Sequence, residues 1–194
     1  LYYLRKIQAG QQVEDRAHAL LFEARNLDNP LPKIQKAADL FGLGTDAVRL
    51  METDEGLRMS PEAVRRAVRD DRSAGNLPFL VVGNGGSTST GAVDPLPELA
   101  DLCQEEELWF HVDGAYGGFA ATVPGAPSEL AALSRADSVA VDPHKWLYAP
   151  LEAGCVLVKD PELLATLERV MAPKTLEGLR GLAGALDLVQ SGMT

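Results

Sequence analysis

The chain has 194 residues, with 28 Asp plus Glu against 18 Lys plus Arg, a formal net charge of -10 and 46% hydrophobic residues. These are globular proportions, which exclude disorder, collagen and coiled coil, and the length fits one domain or a domain and a tail. The acidic balance argues against a nucleic-acid partner, which needs a basic stripe, and no apolar run reaches the ~20 residues of a membrane helix.

In chain order, residues 1–30 carry a predicted helix from Glu14 to Ala24 and no motif; no signal peptide is recognised there. An apolar strand is predicted from Ala47 to Met51. Ser60-Pro61-Glu62 then opens a helix running to about Arg72. A strand from Phe79 to Val82 leads into the polar loop Gly83–Gly91. Asp94-Pro95 opens the next helix, ending near Glu107, and strands follow over Leu108–Val112, Ser138–Val141 and Cys155–Val158. Asp160-Pro161-Glu162 opens a helix through about Val170, and Gly178–Thr194 is Gly-interrupted. At each helix start a side-chain oxygen is expected to cap free N–H groups, and Pro at the first position loses nothing by lacking its own.

The strands are β-branched or aromatic and barely alternate, so both sheet faces should be covered. Strands separated by helices read as βαβ units: an α/β fold with a largely parallel sheet. Right-handed crossovers then put the strand C-terminal ends on one edge, where such folds bind ligands. Three polar loops fall there: Gly83–Gly91, Asp113–Gly118 and Asp142–Trp146. The two cysteines, Cys103 and Cys155, form no CxxC pair, so a reducing cytoplasm is the expected compartment.

Lys145 stands between His144 and Trp146 just after a strand. Partial desolvation there would disfavour its ammonium form, as a Schiff-base lysine requires, although an exposed lysine is the ordinary reading. Asp113 closes a strand before small residues. It can pair with a protonated ring nitrogen or simply cap a turn. The Gly83–Gly91 loop offers N–H groups and hydroxyls to an anion but is not a GxxxxGK[ST] phosphate loop. His111, Asp113 and His144 also match the spacing of a 2-His-1-carboxylate iron triad, which would leave Lys145 without a role. Cys103 and Cys155 sit where inert thiols are usual.

Taken together, His111-Val112-Asp113-Gly114-Ala115-Tyr116-Gly117-Gly118 and Ala136-Asp137-Ser138 through Asp142-Pro143-His144-Lys145-Trp146 closely resemble the group II pyridoxal-phosphate-dependent amino-acid decarboxylases. That group includes the aromatic-L-amino-acid, histidine and glutamate decarboxylases. Gly86-Ser87-Thr88-Ser89-Thr90-Gly91 fits the same pattern in sequence and order, and the likeness runs from about Ile34 to Leu164. The resemblance implies the large domain of the aspartate-aminotransferase type (fold type I) over residues 31–173, with 1–30 and 174–194 as non-matching segments.

The resemblance also implies roles. Lys145 would carry pyridoxal 5'-phosphate covalently, Asp113 would pair with its ring nitrogen, and Ala115 would lie against the ring. Thr88, with Ser87 beside it, would contact the cofactor. His144 would be the active-site histidine next to the lysine, and Asp142 would lie near the phosphate. The expected reaction is decarboxylation of an L-amino acid in a homodimeric enzyme. The ring-stacking histidine of the family has no equivalent here: Leu31 holds its place, and His18 lies too far upstream. The family's Ser/Gly phosphate segment is also not found, so the chain is expected to be a fragment with impaired activity.

Overall fold

The computed structural model describes residues 43–151, 153–163 and 165, together with residues 34, 35 and 38 and the strand 19–24. The chain divides into two compact units, Leu1–Leu157 and Val158–Thr194. In the second, the Asp160 carboxylate accepts hydrogen bonds from the N–H groups of Glu162 (2.9 Å) and Leu163 (3.4 Å), the expected cap of a helix start. Residues 166–170 of that predicted helix, the Gly178–Thr194 tail, Leu31 and His18 lie outside the described residues.

The sheet has six strands: β1 (Ala19–Ala24), β2 (Val48–Met51), β3 (Leu77–Asn84), β4 (Trp109–Asp113), β5 (Ser138–Val141) and β6 (Cys155–Val158). Their spatial order is β2-β1-β3-β4-β5-β6, and the pairs from β2 through β5 are all parallel. The α/β architecture with a largely parallel sheet is therefore as expected. β1 corrects the reading of Glu14–Ala24 as a helix, at least over residues 19–24. Its Ala, Leu and Glu residues favour a helix locally, but the segment lies between β2 and β3, where two ladders of backbone hydrogen bonds override propensity.

Alternate residues divide the sheet into two faces. Val81, Phe110, Val112, Val139 and Val141 point to one, and they bury against Val64 and Val68 of α1 (Pro61–Ser73) and Leu96, Leu99 and Leu102 of α2 (Leu96–Glu105). Leu80 and Val82 point to the other, with Val48, Leu50, Ile34 and Ala38. Among the described residues, no helix is long and apolar enough to cross a membrane.

The Ser60 hydroxyl caps α1 by accepting from the Ala63 N–H (3.3 Å). Asp94 does not cap α2 with its side chain, contrary to the sequence reading. Its carboxylate, in a residue only 1% exposed, instead accepts the N–H of Met59 through Oδ1 and that of Asn84 through Oδ2, both at 2.7 Å. Burial pushes the Asp94 carboxyl above its ordinary range, and the two N–H groups pull it back. This one side chain joins the entry to α1, the end of β3 and the start of α2.

Replacing Asp94 by Ala would strand two N–H groups in the interior. Asp94→Ala is expected to cost about 2–4 kcal/mol of stability in urea denaturation, and Asp94→Asn less, since one oxygen acceptor remains. Equal stability of Asp94→Ala and the parent chain would contradict the bridging role.

Candidate active site

Three parallel strands end side by side. The register sets Asn84 beside Asp113 and Asp113 beside Ala140, so the loops after β3, β4 and β5 leave the sheet at one edge. Backbone bonds continue past the strands: the Gly85 N–H donates to the Asp113 carbonyl (2.8 Å), and the Gly114 N–H to the Ala140 carbonyl (2.9 Å).

Glycines let these loops touch backbone to backbone. A Cβ on Gly117 would lie 2.4 Å from the Gly85 carbonyl oxygen and 2.7 Å from the Gly86 Cα. One on Gly114 would lie 3.0 Å from the Gly118 Cα and 3.1 Å from the Ala140 oxygen. Gly86 also needs its freedom for a φ of 117°.

The loop after β3 is a closed excursion. The Ser87 N–H donates to the Ala92 carbonyl, the Gly91 N–H to the Ser87 carbonyl, and Gly85 and Val93 form an antiparallel bridge. Ser87 is buried, and its hydroxyl is 2.6 Å from that of Thr90 while also accepting the Thr90 N–H (3.2 Å). Ser87 therefore knits the turn, whereas Thr88 is exposed at its tip.

Asp113 is exposed at the end of β4. Its Oδ1 accepts the Ala115 N–H (3.0 Å), which is the turn-capping geometry, and Oδ2 stays without a hydrogen bond among the described residues. Lys145 lies on the one-turn helix α3 (Pro143–Trp146) after β5. Its side chain is 30% exposed, and Nζ stands 2.8 Å from Asp142 Oδ2. The expected desolvation by Pro, His and Trp is thus only partial, and a carboxylate balances the amine. The His144 ring is held through Nδ1, 2.9 Å from the Ala153 carbonyl oxygen, with Nε2 at 4.0 Å from Asp142 Oδ2. The Tyr116 and Trp146 rings meet edge to face at 5.8 Å, which ties the Asp113 loop to the Lys145 helix.

His111 lies one strand position pair before Asp113 on the same face of β4, with Nδ1 2.7 Å from the Ser138 hydroxyl. Burial pushes its imidazole below the ordinary range, and the Asp113 charge opposes this. Among the described residues, no group of three or more His, Cys, Asp or Glu can hold a metal ion. The iron-triad reading of His111, Asp113 and His144 is therefore corrected: the two Nδ1 atoms are turned to Ser138 and Ala153 instead of a shared centre. Burial pushes the Cys103 thiol up to about 12, in keeping with an inert core residue.

The sequence reading missed the Asp142–Lys145 pair, the Tyr116–Trp146 contact and the Ser138 bridge. Spacing alone held a signal for the first, since positions three apart meet on one helical turn. The glycine contacts generate a direct test. Gly117→Ala must move backbone and is expected to cost about 2–3 kcal/mol in urea denaturation. Gly125→Ala, with a φ of 85° and no atom within 4 Å, should cost about 1 kcal/mol. Equal costs would refute the close approach.

Residues 28–183 match the family model described as the pyridoxal-dependent decarboxylase conserved domain. The chain is 37% identical over 160 residues to an aromatic-L-amino-acid decarboxylase of Bacillus atrophaeus, covering 82% of this chain and 33% of that protein. It is 45% identical over 127 residues to mouse cysteine sulfinic acid decarboxylase, covering 66% of this chain and 26% of the relative. Among solved structures, mouse CSAD superposes with a TM-score of 0.72 at 39% identity, over 81% of this chain and 33% of that one. Tryptophan decarboxylase of Catharanthus roseus, in complex with L-tryptophan, gives 0.74 at 31% identity, over 84% and 34%. The chain spans about a quarter to a third of the length of such relatives. Their fold is that of fold type I pyridoxal-phosphate enzymes, as the sequence motifs implied, and on the extent of the match the chain belongs to the pyridoxal-dependent decarboxylase family.

Proposed function

We propose that this chain forms the cofactor-holding part of an enzyme that decarboxylates an L-amino acid to its amine and carbon dioxide, with pyridoxal 5'-phosphate as cofactor. The observation that carries the reading is a lysine amine and a carboxylate with one oxygen unengaged, on adjacent loops at a single sheet edge. The residues present fit this cofactor. The exposed Asp113 carboxylate stands beside the small, half-buried Ala115, which suits the edge and face of a flat ring, and the exposed Thr88 offers a hydroxyl to a phosphate. When bound, pyridoxal phosphate supplies a conjugated ring that accepts the electron pair left as carbon dioxide departs.

In this reading Lys145 holds the cofactor through Nζ, and Asp142 neutralises that amine while it is an ammonium. Asp113 keeps a proton on the ring nitrogen through Oδ2, with Oδ1 steadied by the Ala115 N–H. Ala115 lies against the ring. Ser87 shapes the turn that presents Thr88 to the phosphate. His144, anchored through Nδ1, uses Nε2 to exchange a proton near the reacting carbon. The whole enzyme is proposed to be a homodimer. The exposed Leu147, Tyr148, Leu151, Val156 and Leu157 support burial of apolar surface against a further surface. Two free cysteines support a reducing cytoplasm as its compartment.

Reductive trapping of the chain with pyridoxal phosphate is expected to give one adduct, at Lys145 by mass spectrometry, and none in Lys145→Ala. An adduct mapping to Lys159 or Lys174 would sink the assignment. Carbon dioxide release from a panel of aromatic and acidic amino acids tests the reaction itself. Release that disappears in Lys145→Ala supports it, whereas a Lys145 adduct without release favours a cofactor-binding segment without catalysis. For Asp113, the ring nitrogen of 15N-labelled pyridoxal phosphate should be protonated in the parent chain and lose its proton in Asp113→Asn, with the adduct retained. A proton kept in Asp113→Asn would refute the pairing.

A further inference from the structure

Trp109, His111 and Asp113 alternate along one face of β4, and the register pairs His111 with Ser138 of β5. Ser138 is 7% exposed, and its hydroxyl meets two side chains: the Trp109 Nε1 at 2.9 Å and the His111 Nδ1 at 2.7 Å. The directions of these two bonds follow from the donor inventory. An indole N–H can only donate, so Ser138 Oγ is the acceptor of the first bond. Its own proton then has one acceptor within reach among the described residues, His111 Nδ1. The opposite polarity, Nδ1–H donating to Oγ, would leave the hydroxyl proton buried without a partner, at the full cost of its desolvation. Donation therefore runs from Trp109 to Ser138 to His111, and the ring's own proton sits on Nε2. A proton on Nδ1 would break the relay, so the hydrogen bonds hold the ring uncharged, and burial acts in the same direction.

We propose that Ser138 is a positioning residue: with Trp109 it holds His111 as the neutral Nε2–H tautomer, so that Asp113 meets the ring nitrogen of pyridoxal phosphate without a competing cation. A cationic His111 would pair with Asp113, the charged group whose field already reaches it. The role in cofactor binding rests on the function proposed above; the relay itself is a property of the chain without cofactor.

The test begins on that chain, with 15N- and 13C-labelled histidine read by NMR at neutral pH. His111 is expected as a single Nε2–H tautomer, and Ser138→Ala is expected to give mixed tautomers or a cation. Ser138→Thr, which keeps the hydroxyl, should restore the parent signals and guards against a variant that fails to fold. With pyridoxal phosphate added, Ser138→Ala should bind about five- to tenfold more weakly while still forming its adduct at Lys145, and Ser138→Thr should bind as the parent does. A parent His111 that is cationic or carries its proton on Nδ1 would overturn the relay. So would a Ser138→Ala chain with the parent tautomer and affinity. An intact Nε2–H tautomer in a chain that forms no Lys145 adduct would instead overturn the cofactor reading and leave the relay standing.

Discussion

The arrangement at the strand ends depends on the approach of Gly117 to Gly85 and Gly86. A single methyl group there would sit 2.4 Å from a carbonyl oxygen, so no other residue type is accommodated without moving the backbone. That contact seats the loop after β4 on the loop after β3, and Gly114 seats it on the end of β5. The Tyr116–Trp146 contact then ties it to the helix that bears Lys145. Two groups of opposite charge, separated by more than thirty positions in sequence, thereby come to the same edge of one rigid sheet. Precise placement of functional groups is more dependable on strand ends than on loops free to move, because the ladder bonds fix the origin of each loop.

Charge at this edge is distributed so that Asp113 and His144 each keep one side-chain atom without a hydrogen bond among the described residues. Asp113 uses one carboxylate oxygen to hold its turn and leaves the other. His144 uses Nδ1 and leaves Nε2. Lys145 is steadied by Asp142, three residues back on the same turn. Beneath them, Asp94 plays a purely architectural part, since both of its oxygens are consumed by buried N–H groups. The contrast between Asp94 and Asp113 is one of accessibility: similar side chains near strand ends, one sealed in the core and one open at the edge.

Much of this was legible in the residue types. The strand Ser138–Val141 was bounded by Asp137 and Asp142, Cys155–Val158 lay between Gly154 and Lys159, and Ser60-Pro61 is a local signal with a local partner. The three loops could be grouped because parallel βαβ units put all their strand ends on one edge. What escaped was non-local. The segment 19–24 has helical composition, and only its neighbours in the sheet make it a strand. Asp94 looked like a helix cap because its true partners, Met59 and Asn84, come from elsewhere in the chain. The Ser138 bridge needs the register between β4 and β5, which spacing within either strand cannot reveal. The iron triad failed for the same reason: His111 and His144 suit it in spacing, but each ring is already committed to a different partner.

The central claim is that one sheet edge brings Asp113 and Lys145 to the same cofactor. The most direct measurement is a crystal structure of the chain soaked with pyridoxal 5'-phosphate. The account predicts continuous density from Lys145 Nζ to the cofactor, with the ring nitrogen within about 3 Å of the Asp113 carboxylate. Cofactor density attached to another lysine, or a ring nitrogen facing away from Asp113, would contradict it.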